Sequence, residues 1–145
     1  FKQKTAYEIR LSLVGSEMCI RDRKCTIYLL KGDIVKIVPH ENIEMDVKDL
    51  EEIQKIKFEL FGNRKYAVMF VTPDMGVMTK EGREFASGPL VNRNAVAKAV
   101  VIKNLGMRMM SSFFIKFNKP VVEHRLFENE EEAIQWLRSR LNATS

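Results

Sequence analysis

The regular alternation of short apolar strand-like runs with helical segments limits most strongly how this chain can fold. The runs at residues 25–31 and 34–38 are rich in β-branched side chains, and Gly32 and Asp33 separate them. Two such runs joined by a short glycine-containing turn predict a β-hairpin. Beyond the hairpin, each strand-like run is followed by a helical one. Since strand–helix–strand units pair their strands in parallel, this order predicts an α/β fold with a mixed, largely parallel sheet.

Three more strands and about four helices are predicted after the hairpin. The strands are predicted at residues 66–71, 96–102 and 121–127. The helices, with their capping residues, are predicted at 46–62, 79–87, 105–117 and 129–141. Asp46 begins the first helix as its N-cap and Gly62 ends it. Asn129 and Glu132 form a capping box at the last helix, whose stripe of Ile134, Leu137 and Leu141 we expect to be buried, with Ala133 and Trp136 at its edge.

The first 23 residues resemble translated sequencing adapters. Phe1–Ile9 are similar to a library primer read in one frame, and Leu13–Asp22 are similar to a transposase adapter in the same frame. We therefore expect residues 1–23 to be an artefact outside the fold, and residues 24–145 to form a single domain whose natural start is near or upstream of Lys24.

Charge and cysteine content narrow the classes of partner. The chain has 24 basic and 19 acidic residues, of which five and three fall within residues 1–23, so the remainder carries a net charge of +3. That charge does not predict binding to nucleic acid. Cys25 is the one cysteine beyond the adapter-like stretch, so we expect no internal disulfide and a cytoplasmic protein. No apolar run reaches the ~20 residues of a membrane span, so we expect no integral membrane association.

No motif in the sequence predicts catalysis, a metal site or a cofactor. His40, His124 and Cys25 lack the local spacing of zinc ligands. No phosphate-binding glycine loop or nucleophile elbow is present. We therefore expect a non-enzymatic domain without a cofactor.

The segment 105–117 holds more large apolar residues than one buried helix face needs. Those with inward-facing spacing are Met110, Phe113, Phe114 and Phe117. Met107 and Ile115 then lie nearer the rim and are the candidate surface for a protein partner or a homodimer. The alternative is that the whole segment is ordinary core.

The order of elements resembles the STAS-like (SpoIIAA-like) fold of anti-sigma-factor antagonists and sulfate-transporter tails. Residues 24–142 are similar to a family of small uncharacterised bacterial STAS-like proteins. The segments that carry this resemblance are DVKDLEEI, MTKEGREFAS, FFIKFNKP and LFENEEEAIQWLRS.

In the antagonists, a phosphorylatable Ser or Thr begins the helix that corresponds to residues 79–87. Thr79 is the nearest match, but Asp74 lies five positions upstream of it and Lys80 and Glu81 follow, unlike the antagonist pattern. We expect Thr79 to be an N-cap and keep a phosphoacceptor role as the alternative. For the whole domain we expect protein–protein contact, with a phosphorylation-controlled partner switch or a lipid- or small-molecule-binding module as alternatives.

Overall fold

A computed structural model describes residues 18–21, 24–73, 76–102, 104, 106, 109 and 121–144. The strands are β1 (Met18–Arg21), β2 (Cys25–Leu30), β3 (Ile34–Pro39), β4 (Ile43–Met45), β5 (Tyr66–Val71), β6 (Gly76–Met78), β7 (Ala95–Val101) and β8 (Glu123–Phe127). The helices within these residues are α1 (Val47–Phe61), α2 (Lys80–Ala86) and α3 (Glu130–Thr144).

The main sheet has six strands in the order β1-β2-β3-β5-β7-β8. β1, β2 and β3 pair antiparallel, and the remaining neighbours pair in parallel. Gly32 and Asp33 connect β2 to β3 with φ angles of 86° and 63°, and positive angles at both positions are what a tight hairpin turn requires. The predicted α/β class, the hairpin and the largely parallel sheet are confirmed.

The two faces of the sheet carry separate hydrophobic cores. α1 and α2 cover the first face, whose buried residues are Cys25, Ile27, Val35, Ile37, Met45, Leu50, Ile53, Ile56, Phe61, Tyr66 and Val68. α3 covers the second face, whose buried residues are Ile34, Ala67, Met69, Ala97, Ala99, Val101, Phe127, Ala133 and Leu137. Burial on both faces explains why β5 is apolar at every position.

The capping signals in the sequence mark the helix ends correctly. Asp46 and Asp49 form a reciprocal capping box at α1, with main-chain to carboxylate distances of 3.3 and 2.9 Å. Gly62 ends α1 with a φ of 59°, and its N–H donates to the carbonyl of Phe58 at 2.7 Å. At α3, the side chain of Asn129 accepts from the N–H of Glu132 at 2.9 Å. Each cap satisfies main-chain groups that a helix end leaves without a partner.

A second, two-stranded sheet was not predicted from the sequence. β4 and β6 pair in parallel, with Ile43 opposite Gly76 and Met45 opposite Met78. These strands immediately precede α1 and α2 and therefore hold the starts of the two helices side by side. A three-residue strand is too short to show a periodicity of its own, so its pairing depends on the surrounding fold.

β1 falls within the segment that we expected to lie outside the fold. It pairs with the outer edge of β2, Met18 opposite Leu29 and Arg21 opposite Thr26, so the paired region extends beyond the expected boundary at Lys24. Because strand pairing uses main-chain groups, an open sheet edge accepts extended segments of many sequences. The adapter origin of residues 1–23 therefore stays a prediction.

The predicted helix at 105–117 lies almost entirely outside the described residues. Gly106 and Met109 are described, and both have helical conformation. Met107 and Ile115 are not among the described residues, so their role as a partner surface stays a prediction. The same holds for the inward positions proposed at Met110, Phe113, Phe114 and Phe117.

Candidate functional site

Two lysine side chains are buried on the first face of the sheet. Lys57 lies on α1 and is 2% exposed, and Lys98 lies on β7 and is 8% exposed. Lys98 is in register with Val68 on one neighbouring strand and with His124 on the other, so these three side chains point to the same face. Lysine is among the residues least often buried without a partner, which makes this pair the most unusual feature of the interior.

Both amines bind the chain that connects α2 to β7. Lys57 Nζ donates to the carbonyl of Val91 at 2.7 Å and lies 5.5 Å from the centre of the Tyr66 ring. Lys98 Nζ donates to the carbonyl of Ala86, the last residue of α2, at 3.4 Å. The segment 87–94, which we call the 87–94 loop, is thus bound to the core by Lys57 at Val91 and, at the residue that precedes the loop, by Lys98.

Asn92 closes the 87–94 loop on itself. Its Nδ2 donates to the carbonyls of Ala86 and Gly88 at 2.9 and 2.7 Å. These two carbonyls fix the orientation of the amide, because an amide oxygen could not bind them. Asn92 is 5% exposed, and its Oδ1 is buried without a hydrogen-bond partner within the described part of the chain.

Among the residues that the structure describes, this lysine pair has no carboxylate counterion. Burial, and to a lesser degree the charge of Lys98, lower the pKa of Lys57 from 10.5 to about 7. Burial lowers the pKa of Lys98 to about 8. Burial and the nearby Lys98 lower the pKa of His124 to about 4, and burial raises the pKa of Tyr66 to about 12. His124 and Tyr66 are therefore neutral at pH 7 and supply no negative charge.

Ion pairs elsewhere in the described residues do not involve the lysine pair. They join Lys24 to Asp49, Lys36 to Glu130, Arg64 to Asp33 and Arg140 to Glu123. Burying an ammonium group without a carboxylate is costly, so each amine either loses its proton or requires an anion.

Three exposed apolar side chains belong to segments at the end of the sheet where the 87–94 loop lies. Leu90 is 67% exposed, Val121 61% and Phe58 56%. The main-chain N–H of Val121 donates to the carbonyl of Ser87 at 3.1 Å, which brings the start of β8 next to the loop. Phe58 is in the last turn of α1, at the end of the sheet where β5 begins. We call Phe58, Leu90 and Val121 the apolar end of the domain.

Thr79 is the N-cap of α2. Its Oγ1 accepts from the N–H of Gly82 at 3.0 Å, and its own N–H donates to the carbonyl of Met45 at 2.9 Å. Thr79 lies at the opposite end of α2 from the 87–94 loop. A phosphoacceptor role for Thr79 stays a prediction.

Replacing Thr79 by Ala should lower the free energy of unfolding by about 1 kcal/mol, because the N–H of Gly82 loses its acceptor. Thr79→Ser and Thr79→Asp should keep most of the stability, since both retain a side-chain oxygen that can accept. Urea denaturation of the three variants measures the difference. A Thr79→Ala variant as stable as the Ser variant would show that the cap contributes nothing.

The two histidines and the cysteine considered from the sequence are not all brought together, because His124 lies far from the other two. His40 Nε2 lies 3.2 Å from the hydroxyl of Thr26, near Cys25 on the neighbouring part of the hairpin. His124 is on β8, at the other edge of the sheet, and its Nδ1 donates to the carbonyl of Val122 at 2.9 Å. Over the residues that the structure describes, no three His, Cys, Asp or Glu side chains are grouped so as to hold a metal ion.

Sequence reasoning missed the lysine pair, although a signal was present. Lys57 continues the buried stripe of α1, with Ile53 four residues before it and Phe61 four residues after it. Lys98 interrupts the otherwise apolar run of β7. A charged residue at an inward-facing position of each element is the pattern that would have identified both.

Comparisons with known proteins agree with this architecture. A domain of unknown function, DUF7793, matches residues 28–141, and the chain belongs to this family. An uncharacterized protein of the DUF3478 family from Shewanella loihica PV-4, which has a SpoIIAA-like fold, superimposes with a TM-score of 0.52 at 13% sequence identity, over 83% of this chain and 91% of that chain. The SpoIIAA-like fold expected from the sequence is confirmed. Comparison with curated proteins gave no match.

Membrane insertion through a helix has no support in this fold. Of the helices within the described ranges, none is both long enough and apolar enough to cross a bilayer.

Proposed function

We propose that this member of the DUF7793 family is a non-enzymatic cytoplasmic domain that acts by protein–protein contact through its apolar end. The observation that carries the proposal is the exposure of Phe58, Leu90 and Val121 at one end of the sheet. Large apolar side chains that remain in water together at one place are characteristic of contact surfaces.

The base of the apolar end supports such a role. Leu90 lies in a loop with two bound carbonyls. Lys57 of α1 donates to the carbonyl of Val91, and Asn92 of the loop itself donates to that of Gly88. A side chain presented by a fixed loop loses less conformational entropy on binding than one presented by a mobile loop. Apolar anchors of this kind contribute most of the binding energy in protein interfaces.

A second copy of the chain is the first partner to test. Two copies can place the same patch face to face across a two-fold axis, which is the commonest arrangement of soluble homo-oligomers. Glu84, near the end of α2, and Arg93, on the loop that carries Leu90, are both exposed, so a two-fold arrangement can bring opposite charges together.

Replacing Leu90 by Lys should weaken self-association at least about tenfold, because a charge would be buried in the contact. The fold should be unaffected, since the side chain of Leu90 is in water. Sedimentation velocity over a range of concentrations measures the association, and thermal melting checks the fold. Gln135→Lys is the matched control, because it adds the same charge at an exposed position of α3.

A wild-type protein that stays monomeric would exclude the homodimer. A photo-crosslinking residue placed at position 90 and, separately, at position 135 then tests a different protein partner in the source cells. If position 90 captures no more protein than position 135, the apolar end is not a contact surface and the proposed function is wrong.

A further inference from the structure

We infer that Lys57, Lys98 and Asn92 form a binding site for a phosphate group beneath the 87–94 loop. This inference goes beyond the proposed protein contact and does not depend on it. It concerns side chains that face the core, whereas the apolar end faces solvent.

The first argument is the balance of hydrogen-bond donors and acceptors. A lysine ammonium carries three N–H donors, and among the residues described each of these two has one acceptor, the carbonyl of Val91 or of Ala86. The group therefore has about four unmatched donors and one unmatched acceptor, Asn92 Oδ1. A ligand that fits it must offer several acceptor oxygens and one donor.

Phosphate has this combination. Its monoanion offers oxygens to both amines and an O–H to Asn92 Oδ1, and the same holds for a singly protonated phosphate monoester. A carboxylate supplies acceptors but no donor. The unmatched oxygen of Asn92 therefore favours phosphate over an acidic side chain or a simple organic acid.

The three side chains converge on one short stretch of chain. Lys98 Nζ and Asn92 Nδ2 share the carbonyl of Ala86 as an acceptor, at 3.4 and 2.9 Å. Lys57 binds the carbonyl of Val91, the residue that precedes Asn92. Arg93, exposed on the same loop, adds positive charge on the outer side, where it can attract an anion from solution.

Charge gives the second argument. Within the described part of the chain, the titratable groups facing the two amines are each other, Tyr66 on β5 and His124 on β8. None of these is negative at neutral pH, so protonation of both lysines leaves two repelling charges in the core. A phosphate between them removes the repulsion and stabilises the protonated forms.

Isothermal titration calorimetry of the full chain with inorganic phosphate tests this site. At pH 6.5, in chloride buffer of matched ionic strength, we expect saturable binding with uptake of protons by the protein. Raising the pH to 9.0 should weaken binding by about tenfold or more, because the pKa values of about 7 and about 8 leave both amines largely neutral there.

Lys98→Met is the decisive variant. It should fold, because the carbonyl of Ala86 keeps the bond from Asn92 and a buried charge has been removed, and it should lose about tenfold or more in phosphate affinity. Lys55→Met, at an exposed position of the same helix as Lys57, is the control and should bind as the wild type does.

Glycerol 3-phosphate distinguishes the source of the phosphate group. If it binds like inorganic phosphate, the site accepts a monoester, and if it does not bind, the site holds the free ion. Absence of phosphate binding at pH 6.5 would overturn the inference. Equal binding of acetate, or unchanged affinity in Lys98→Met, would overturn it as well.

Discussion

Replacing Lys57 by Met should raise the free energy of unfolding at pH 6.5 by about 2 kcal/mol, and this gain should be lost by pH 9.5. Burial lowers the pKa of Lys57 from 10.5 to about 7, which corresponds to a cost of about 3–5 kcal/mol for the protonated fold. Met removes that cost but also removes the donor to the carbonyl of Val91, at about 1–3 kcal/mol. The gain exceeds the loss at pH 6.5, whereas at pH 9.5 the remaining cost is about 1.4 kcal/mol and no longer exceeds the loss.

The same lowering of the pKa of Lys57 determines how the stability of the wild-type protein depends on pH. Between the folded pKa of about 7 and the ordinary value of 10.5, the unfolded chain binds a proton at Lys57 that the folded chain does not. Stability therefore rises with pH across this window, and below it the full cost of the buried charge is present. Lys98, with a pKa of about 8, adds a smaller rise in the same direction.

Urea denaturation from pH 6.5 to 9.5 in phosphate-free chloride buffer measures this effect. The wild type should gain stability steadily, and Lys57→Met should keep the smaller rise that belongs to Lys98. Lys55→Met, with its side chain in water, should follow the wild type. A wild-type stability that is flat across this range would show that Lys57 titrates normally in the fold.

The fold was predictable because its signals are local. The turn at Gly32 and Asp33 and the caps at Asp46 and Gly62 each depend on a few neighbouring residues, and the structure has each of them where the sequence predicts it. β4 and β6 were not predictable, because each is three residues long and has a partner more than thirty positions away. Their pairing is a consequence of the fold and leaves no pattern in the sequence.

The lysine pair escaped prediction for a related reason. In the sequence, Lys57 of α1 and Lys98 of β7 are separated by forty-one positions, and each alone is compatible with a side chain that reaches solvent. Their relation appears when α1 packs against the face of the sheet to which Lys98 of β7 points. The 87–94 loop then lies next to both side chains. A cluster built from distant positions becomes visible in the assembled fold.

At α3, the apolar pattern of the sequence identifies the buried face of the helix but misplaces the centre of its contact with the sheet. The sequence placed Ala133 at the edge of the buried stripe and Ile134 within it. In the fold Ala133 is fully buried and Ile134 is half-buried. A small residue lets the helix lie close to Ala97 and Ala99 on β7, which are also buried, so the line of closest approach runs through Ala133 and Leu137.

Leu137→Ala should accordingly lower the free energy of unfolding by about 2–5 kcal/mol, the second large effect that we expect. Leu137 is completely buried at the centre of the second core, so removing its side chain leaves a cavity between α3 and the sheet. Ile134→Ala is the matched control and should cost distinctly less, because part of the Ile134 side chain is already in water. Chemical denaturation of both variants at one pH gives the comparison. If both variants lost the same free energy of unfolding, the contact between α3 and the sheet would be centred where the sequence pattern had placed it. Ala133 would then not determine how closely α3 packs against the sheet.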